Sequence, residues 1–315
     1  MRALLIVNPH ATSTTQLRRD VIASALASAV ELEVMETRYR GHATGLAGTA
    51  LSRGYGLVIT LGGDGTVNEA INGIMGADGG EDGPAPAARL PALAALPGGS
   101  ANVFSRALGL PPDPVDAAGK ILQALSQDRD RAIGLGMAGR RYFAFNAGLG
   151  LDAEVVRAVE GRRAHGKAVT PALYLRTALR QYYRVTDRHR PALRLELDGR
   201  PADGPLFLGI VSNTAPWTYL GKRAVQANPC AGFDSGLDLF ALRTLRTVST
   251  LRALRQMLAS SGRPPRGSSV FTLHDQADLT LTAERPVAFQ VDGEYVGEQE
   301  RVSFQSVPRA LRVVV

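Results

Sequence analysis

Apolar positions in this chain fall into short runs separated by glycine, proline and polar turns, and the runs change character near Asp128 to Arg131. Before that point they alternate with helical stretches. Ala3 to Val7 is an apolar run stopped at Asn8-Pro9, where proline cannot extend a ladder, and it predicts a buried strand. A helix follows through about Ala29, then a strand over Glu31 to Met35 leading to Thr37, a helix near Ala43 to Ser52, and a strand over Gly56 to Leu61. That last strand runs into Gly62-Gly63-Asp64-Gly65-Thr66. Strand, helix, strand, helix, strand implies a parallel sheet. After Val67 and Asn68, Glu69 to Met75 predicts a helix with an apolar stripe, and Gly76 to Arg89 a mobile loop rich in Gly, Pro and Ala. Ala92 to Leu96 predicts a fourth strand ending on Pro97-Gly98-Gly99-Ser100, with a helix behind it that carries Asn102, Phe104 and Arg106.

From Arg131 on the apolar segments are short and alternating: Tyr142 to Phe145, Leu193 to Leu197, Leu206 to Val211, Leu237 to Leu242, Asp278 to Thr282, Ala288 to Val291 and Leu311 to Val315. They predict a mostly antiparallel β region, interrupted by helices over Pro171 to Val185 and about Val248 to Ser260. At 315 residues the chain is long enough for two cores. The division expected is 1–130 and 131–315, with the last strand free to return to the first domain.

Composition narrows the classes. A hydrophobic share of 45% and a charged share of 21% are ordinary for a globular protein. No apolar run reaches the roughly 18 to 20 residues that span a bilayer, and no basic segment leads into a cleavable hydrophobic stretch, so a cytoplasmic protein is expected. Cys230 is the only cysteine, which excludes an internal disulfide and a cysteine-rich metal cage. The balance of 36 basic to 29 acidic residues, +7 overall, favours anionic partners: nucleotides, phospholipid surfaces or nucleic acid.

Three glycines within four positions after a buried strand permit a tight turn with positive φ, so that backbone N–H groups approach an anion unobstructed, with the positive end of a helix behind them. Thr66 and Asn68 add neutral donors. Asp64 in a phosphate site makes sense where a divalent cation bridges it to a triphosphate. The second turn, Gly98-Gly99-Ser100, falls at the same edge of the same sheet, where such sheets bind ligands. Neither turn contains the Gly-Lys-Ser/Thr of a P-loop or a GxGxxG pattern, which disfavours dinucleotide redox chemistry.

Three stretches carry a family resemblance: Gly62-Gly63-Asp64-Gly65-Thr66-Val67-Asn68-Glu69, Leu96-Pro97-Gly98-Gly99-Ser100-Ala101-Asn102, and Val291-Asp292-Gly293-Glu294. In this order the chain resembles the diacylglycerol kinase catalytic-domain family, which includes bacterial diacylglycerol kinase-like lipid kinases and sphingosine kinases. The resemblance implies an α/β nucleotide-binding domain of phosphofructokinase-like type, a C-terminal β-sandwich domain, catalysis in a cleft between them, and ATP with Mg²⁺ as cofactors. By motif position it places nucleotide contacts on Asn8, Pro9, His10, Ala11, Thr12, Thr37, Gly62, Gly63, Asp64, Gly65, Thr66, Val67, Asn68, Gly98, Gly99 and Ser100. It places the proton acceptor on Glu294 with Asp292 beside it. Asp292-Gly293 also reads as a hairpin turn between Phe289-Gln290-Val291 and Tyr295-Val296, and the turn would present both carboxylates.

Two departures stand out. The Asn8-Pro9-His10-Ala11-Thr12 segment lacks the family's frequent Ser-Gly. Where relatives carry an Asp-Asp-Gly or Asn-Asp-Gly stretch that holds a structural Mg²⁺, this chain has Asp234-Ser235-Gly236. The ligands left are the carbonyls of Gly232 and Leu237 with Asp234, or Asp238, as the acid. Between Val155 and Arg194 lie ten basic residues, Arg157, Arg162, Arg163, Lys167, Arg176, Arg180, Arg184, Arg188, Arg190 and Arg194, against Glu160 and Asp187. Arg176, Arg180 and Arg184 recur on one helix face, which suits an anionic membrane surface. The sequence therefore predicts an ATP- and Mg²⁺-dependent lipid kinase with peripheral membrane association. A kinase for a soluble substrate such as NAD and a catalytically silent nucleotide- or lipid-binding regulator remain as alternatives. No nucleic-acid motif is present, and a homodimer stays open.

Overall fold

The structure, a computed structural model, describes residues 1–11, 15–76, 87–164, 171–259 and 262–315. Thr12, Lys167 and most of the loop expected from Gly76 to Arg89 lie outside the described residues. The chain forms two compact units: Met1–Leu135 with Arg140–Ala144 and Val307–Val315, and Gly136–Gly139 with Phe145–Ser306.

The first unit contains β1 (Arg2–Val7), α1 (Gln16–Ala27), β2 (Glu31–Glu36), α2 (His42–Gly48), β3 (Leu57–Gly62), α3 (Asp64–Ile74), β4 (Ala92–Pro97), α4 (Val103–Ala107) and α5 (Pro114–Ser126), then most of β5 (Asp130–Ala138) and β6 (Arg141–Phe143). Its sheet runs β2-β1-β3-β4, all parallel, and the end of the chain adds a further parallel strand through Val313 opposite Leu93. Alternate residues of each strand define its faces. Ala3, Leu5 and Val7, Leu57, Ile59 and Leu61, and Ala92, Ala94 and Leu96 pack on one side with Ile22 and Leu26 of α1 and Ala117, Ile121 and Ala124 of α5. Each fully buried Leu or Ile contributes about 1.5 to 3 kcal/mol. Asp113 caps α5 by accepting from the amides of Val115 and Asp116 at 2.8 and 3.3 Å. On the sheet's other side α2 and α3 meet backbone to backbone, since a Cβ on Gly73 would sit 2.3 Å from the Thr44 carbonyl oxygen.

The second unit contains β7 (Asn146–Gly150), α6 (Leu151–Ala164), α7 (Pro171–Arg180) continuing as a π-helical turn over Gln181–Val185, β8 (Leu193–Leu197), β9 (Arg200–Leu206), β10 (Leu208–Ser212), β11 (Thr218–Leu220), β12 (Arg223–Val225), β13 (Leu237–Leu242), α8 (Thr247–Leu258), β14 (Val270–Gln276), β15 (Asp278–Val291) and most of β16 (Glu294–Val314). Its strand pairings are antiparallel. The long β15–β16 hairpin organises them. The first half of β15 pairs with β8, its second half with β7, and the register shifts between Thr282 and Val287. Leu208, Ile210, Phe240 and Leu242 of the β10–β13 pair are covered by Leu151, Val155 and Val159 of α6, Tyr182, and Ala253 and Met257 of α8.

Two features depart from the sequence reading. The α3 helix begins at Asp64, five residues before the expected Glu69, so most of the glycine motif is helix rather than loop. Residues 151–164 form a helix where none is expected: Val155, Val156 and Val159 read as strand formers, whereas the left-handed Gly150 (φ 80°) turns the chain and Asp152 and Glu154 occupy the electropositive first turn.

Candidate active site

The parallel register brings the strand ends of the first unit to one edge. Val7 lies opposite both Glu36 and Leu61, and Gly62 lies opposite Pro97. Asn8, Thr37, the Gly62-Gly63 turn and the Gly98-Gly99 turn therefore share the carboxyl edge of the sheet. Because β1 is flanked by β2 on one side and β3 on the other, the order reverses between β1 and β3, and Asn8 and Gly62 mark that switch point. The side chains interlock there. Asn8 Nδ2 donates to Thr66 Oγ1 at 3.2 Å, and Asn8 Oδ1 accepts from the His10 amide at 3.0 Å. Thr37 is held by its amide, which donates to the Val7 carbonyl at 2.8 Å. His10 and Ser100 are exposed, and Pro9 and Ala11 half-buried.

The glycines are required by close approach, not by positive φ. None of Gly62, Gly63, Gly65, Gly98 and Gly99 is left-handed, and Gly63 is extended at φ −85°, ψ −179°. A Cβ on Gly98 would lie 2.9 Å from Gly62 Cα, one on Gly99 2.7 Å from Gly63 Cα, and one on Gly62 2.6 Å from Thr66 Oγ1. The two turns are thus packed main chain against main chain, and the Gly98 amide donates to the Gly62 carbonyl at 2.7 Å. Asn102, itself left-handed (φ 49°), brackets the second turn: its Oδ1 accepts from the Gly99 amide and its Nδ2 donates to the Gly99 carbonyl, both at 2.8 Å. Gly63 provides no side-chain cap to α3, which leaves the first amides of that helix directed at the edge.

Asp64 opens α3, and its two carboxylate oxygens accept from the Val103 and Phe104 amides at 3.0 and 3.1 Å. It therefore caps α4. Burial pushes its pKa up, opposed by the amides of Val103, Phe104 and Asn102 and by Arg106. Val67 and Asn68, both in α3, are buried. Val67 is buried and its amide closes on the Gly63 carbonyl at 3.2 Å, within the helix. Asn68 is fully buried: its Nδ2 donates to the Tyr142 carbonyl at 3.0 Å, and its Oδ1 accepts from Arg141 at 2.7 Å. Glu69, the last residue of that motif, accepts from the amides of Gly41 and Ala43 at 2.8 and 3.1 Å and anchors the start of α2.

The second unit carries the Asp292-Gly293-Glu294 hairpin. Val291 pairs with Glu294 across a two-residue turn in which Asp292 (φ 47°) and Gly293 (φ 76°) are both left-handed, the geometry that an Asp-Gly pair favours. Asp292 is buried, and one of its oxygens accepts from the Phe145 and Asn146 amides at 3.0 and 3.1 Å. Glu294, at the end of the turn, is half-buried. Behind it lies a polar cluster that the sequence reading missed. Gln290 donates through Nε2 to Asn146 Oδ1 at 2.9 Å and to Asp152 Oδ2 at 2.8 Å, while its Oε1 accepts from the Gly293 amide at 2.9 Å. Burial lifts the Asp152 pKa to about 6, with the Gln290 hydrogen bond opposing. A Cβ on Gly148 would lie 2.0 Å from Asp152 Oδ2, so Gly148-Leu149-Gly150-Leu151-Asp152 holds the trace from which the carboxylate could have been found.

The segment where the resemblance implies a structural cation is closed by side chains. Ser235 Oγ donates toward the carbonyls of Gly232 and Gly236 at 3.0 and 3.3 Å. Asp238, fully enclosed, faces His274 Nδ1 at 2.7 Å and accepts from the Asp275 amide at 3.0 Å. The Asp275 carboxylate takes the Gly236 amide at 2.6 Å. The Gly232 carbonyl and one oxygen of Asp238 thus already have proton donors, and with Ser235 in place of an acid this set fits a hard cation poorly. Asp234 is exposed on the same loop, and Leu237 enters β13. Among the described residues no three His, Cys, Asp or Glu side chains gather as a metal group, and no helix is long and apolar enough to cross a membrane.

The fold is a doubly wound α/β unit with paired glycine turns at its switch point, followed in the chain by a mostly antiparallel unit that displays a carboxylate hairpin. Residues 2–132 match the model of the diacylglycerol kinase catalytic domain. Over 310 residues the chain is 28% identical to a diacylglycerol kinase of Bacillus subtilis, covering 94% of this chain and 90% of the relative. The fold matches a crystal structure of a diacylglycerol kinase from Bacillus anthracis at a TM-score of 0.69, 20% identity and coverage of 99% and 96%. An NAD kinase from Archaeoglobus fulgidus, solved with ATP, is similar at a TM-score of 0.53, 11% identity and coverage of 100% and 94%. The latter likeness is one of fold alone.

Proposed function

We propose that the protein transfers the γ-phosphate of ATP to a hydroxyl of diacylglycerol or a related lipid. The observation that carries this reading is the uncapped start of α3 at Gly63, set against the second glycine turn at the switch point of the sheet. Amides of the first turn of α3 and of Ser100 take the phosphates, with Thr66 and Asn8 as neutral partners. Mg²⁺ bound with the triphosphate would neutralise its oxygens. Asp64 is the residue to hold it, since hydrogen bonds from the Val103 and Phe104 amides fix its carboxylate at the start of α3.

On the acceptor side, Glu294 takes the proton of the lipid hydroxyl. Asp292 positions it: buried and tied to two amides, it fixes the turn and leaves Glu294 as the carboxylate that can reach a substrate. A positioned general base contributes about 10² to 10⁴ in rate. Relatives named diacylglycerol kinase support the lipid class of the acceptor. The test is ATP- and Mg²⁺-dependent phosphorylation of detergent-dispersed diacylglycerol, sphingosine and, as the soluble arm, NAD. Asp64→Ala should abolish transfer, and Glu294→Gln should lower kcat about 10² to 10⁴-fold with little change in nucleotide affinity. Transfer to NAD alone would overturn the lipid reading, and nucleotide binding without any transfer would favour a regulator.

A further inference from the structure

The second unit exposes a patch that its core does not explain. Outward on α8, Val248, Leu251 and Leu254 are 81%, 57% and 36% exposed, while Ala253 and Met257 on the opposite side are buried. The spacing places the three on one flank and Arg252 and Arg255 beside them on the solvent face. The start of α8 is fastened to the π-helical turn: Tyr182 Oη donates to the Leu245 carbonyl at 2.5 Å, and Arg188 reaches Thr247 Oγ1 at 3.4 Å while stacking over Tyr182 and Tyr183. That neighbouring element also shows apolar side chains to solvent, with Leu179, Tyr183 and Val185 at 48%, 52% and 57%. The two elements form one continuous surface.

Its charge is of one sign. No Asp or Glu occurs from Leu239 to His274 or from Gly161 to Thr186. Arg176, Arg180, Arg184, Arg246, Arg252 and Arg255 are exposed and make no ion pair among the described residues. Exposed apolar side chains ringed by unpaired arginines are the signature of a surface that enters the headgroup region of an anionic bilayer.

We infer that α8 is the membrane-inserting element, with Val248 and Leu251 at its tip, and that the arginines of α8 and of the α7 helix and its π turn hold it on an anionic bilayer. This rests on the lipid-kinase reading, because a hydroxyl buried in a membrane must be met at the surface. Phosphatidylcholine fits less well, since it offers the arginines no net charge.

Flotation of the full chain with vesicles of equal parts phosphatidylglycerol and phosphatidylcholine tests it. The wild type should bind these vesicles, lose binding with added salt, and ignore vesicles of phosphatidylcholine alone. R252E/R255E should bind about thirtyfold more weakly or worse. V248E/L251E should bind at least about tenfold more weakly with an unchanged melting temperature, because neither side chain is in the core. Both variants should phosphorylate detergent-dispersed diacylglycerol as the wild type does. Unimpaired vesicle binding by V248E/L251E would overturn the inference. So would absence of binding by the wild type, or a lipid-free dimer that V248E/L251E splits. Normal vesicle binding with no transfer in detergent would sink the kinase reading while supporting the docking surface.

Discussion

The two units solve the problem of placing charge in different ways. The first gathers partial positive charge from main-chain amides at the start of α3, and its glycines are dictated by contacts of 2.7 and 2.9 Å between two backbones. The second holds formal negative charge, on Asp152, Asp292 and Glu294, and needs Asn146, Gln290 and two further amides to keep those carboxylates in place. Apart from Asp64, the backbone-built site has nothing to titrate, and it fails sterically. A carboxylate-built site tolerates changes of shape and fails electrostatically. Substitutions in the two units should therefore give different signatures.

The largest effect is expected at Gly99. Its missing Cβ would lie 2.7 Å from Gly63 Cα, and main chain cannot turn aside as a flexible side chain could. Gly99→Ala should lower stability by about 3 kcal/mol, at the upper end of overpacking penalties, and remove detectable nucleotide binding. Denaturant melts together with a nucleotide titration check this. A variant with wild-type stability would mean that the turns are free to separate, and the contrast between the units would lose its steric half.

That half was legible in the sequence, because glycines that follow a buried strand leave a local trace. Their reason was not. The pattern suggested left-handed backbone, whereas the cause is the approach of a second turn some thirty-five residues away, which no local pattern records. The Asp292-Gly293 hairpin was legible for the same local reason, and its left-handed angles follow from residue type. Asp152 was not, since its partner Gln290 lies far along the sequence and the α6 helix that carries it was not expected there. Asn68, a polar residue in the phosphate motif, is also a buried tie to Tyr142, a distant partner that no local pattern records.

Asp152 gives the electrostatic half its test. Its folded pKa, about 6, lies above the ordinary 3.8, so protons favour the fold. The stability this group contributes is full below pH 3.8 and is lost as pH rises through about 6. Asp152→Asn stays neutral and keeps an acceptor for Gln290. It should be more stable than the wild type by about 3 kcal/mol at pH 8 and by about half of that at pH 5, following about 1.4 kcal/mol per pKa unit. Transfer activity should fall in the same variant, since a buried charge retained at a cost to stability marks a working site. Equal stabilities at both pH values would show that Asp152 is not strained by burial, and full activity would make it structural.

The smallest effect concerns the segment where the resemblance implies a structural cation. Here Ser235 donates to the Gly232 and Gly236 carbonyls, and the Asp275 carboxylate takes the Gly236 amide, so the loop before β13 is closed by protons that a metal would otherwise displace. With no nucleotide present, the melting temperature of the wild type should be the same in EDTA and in Mg²⁺. Ser235→Asp restores a carboxylate beside the Gly232 carbonyl and removes the hydroxyl donor. It should melt below the wild type in EDTA by a few degrees, the shift expected for about 1 kcal/mol, and recover as Mg²⁺ is added. A wild-type protein that loses stability in EDTA would show that carbonyls and Asp234 suffice to hold a cation without the acid, and that the serine is a bystander.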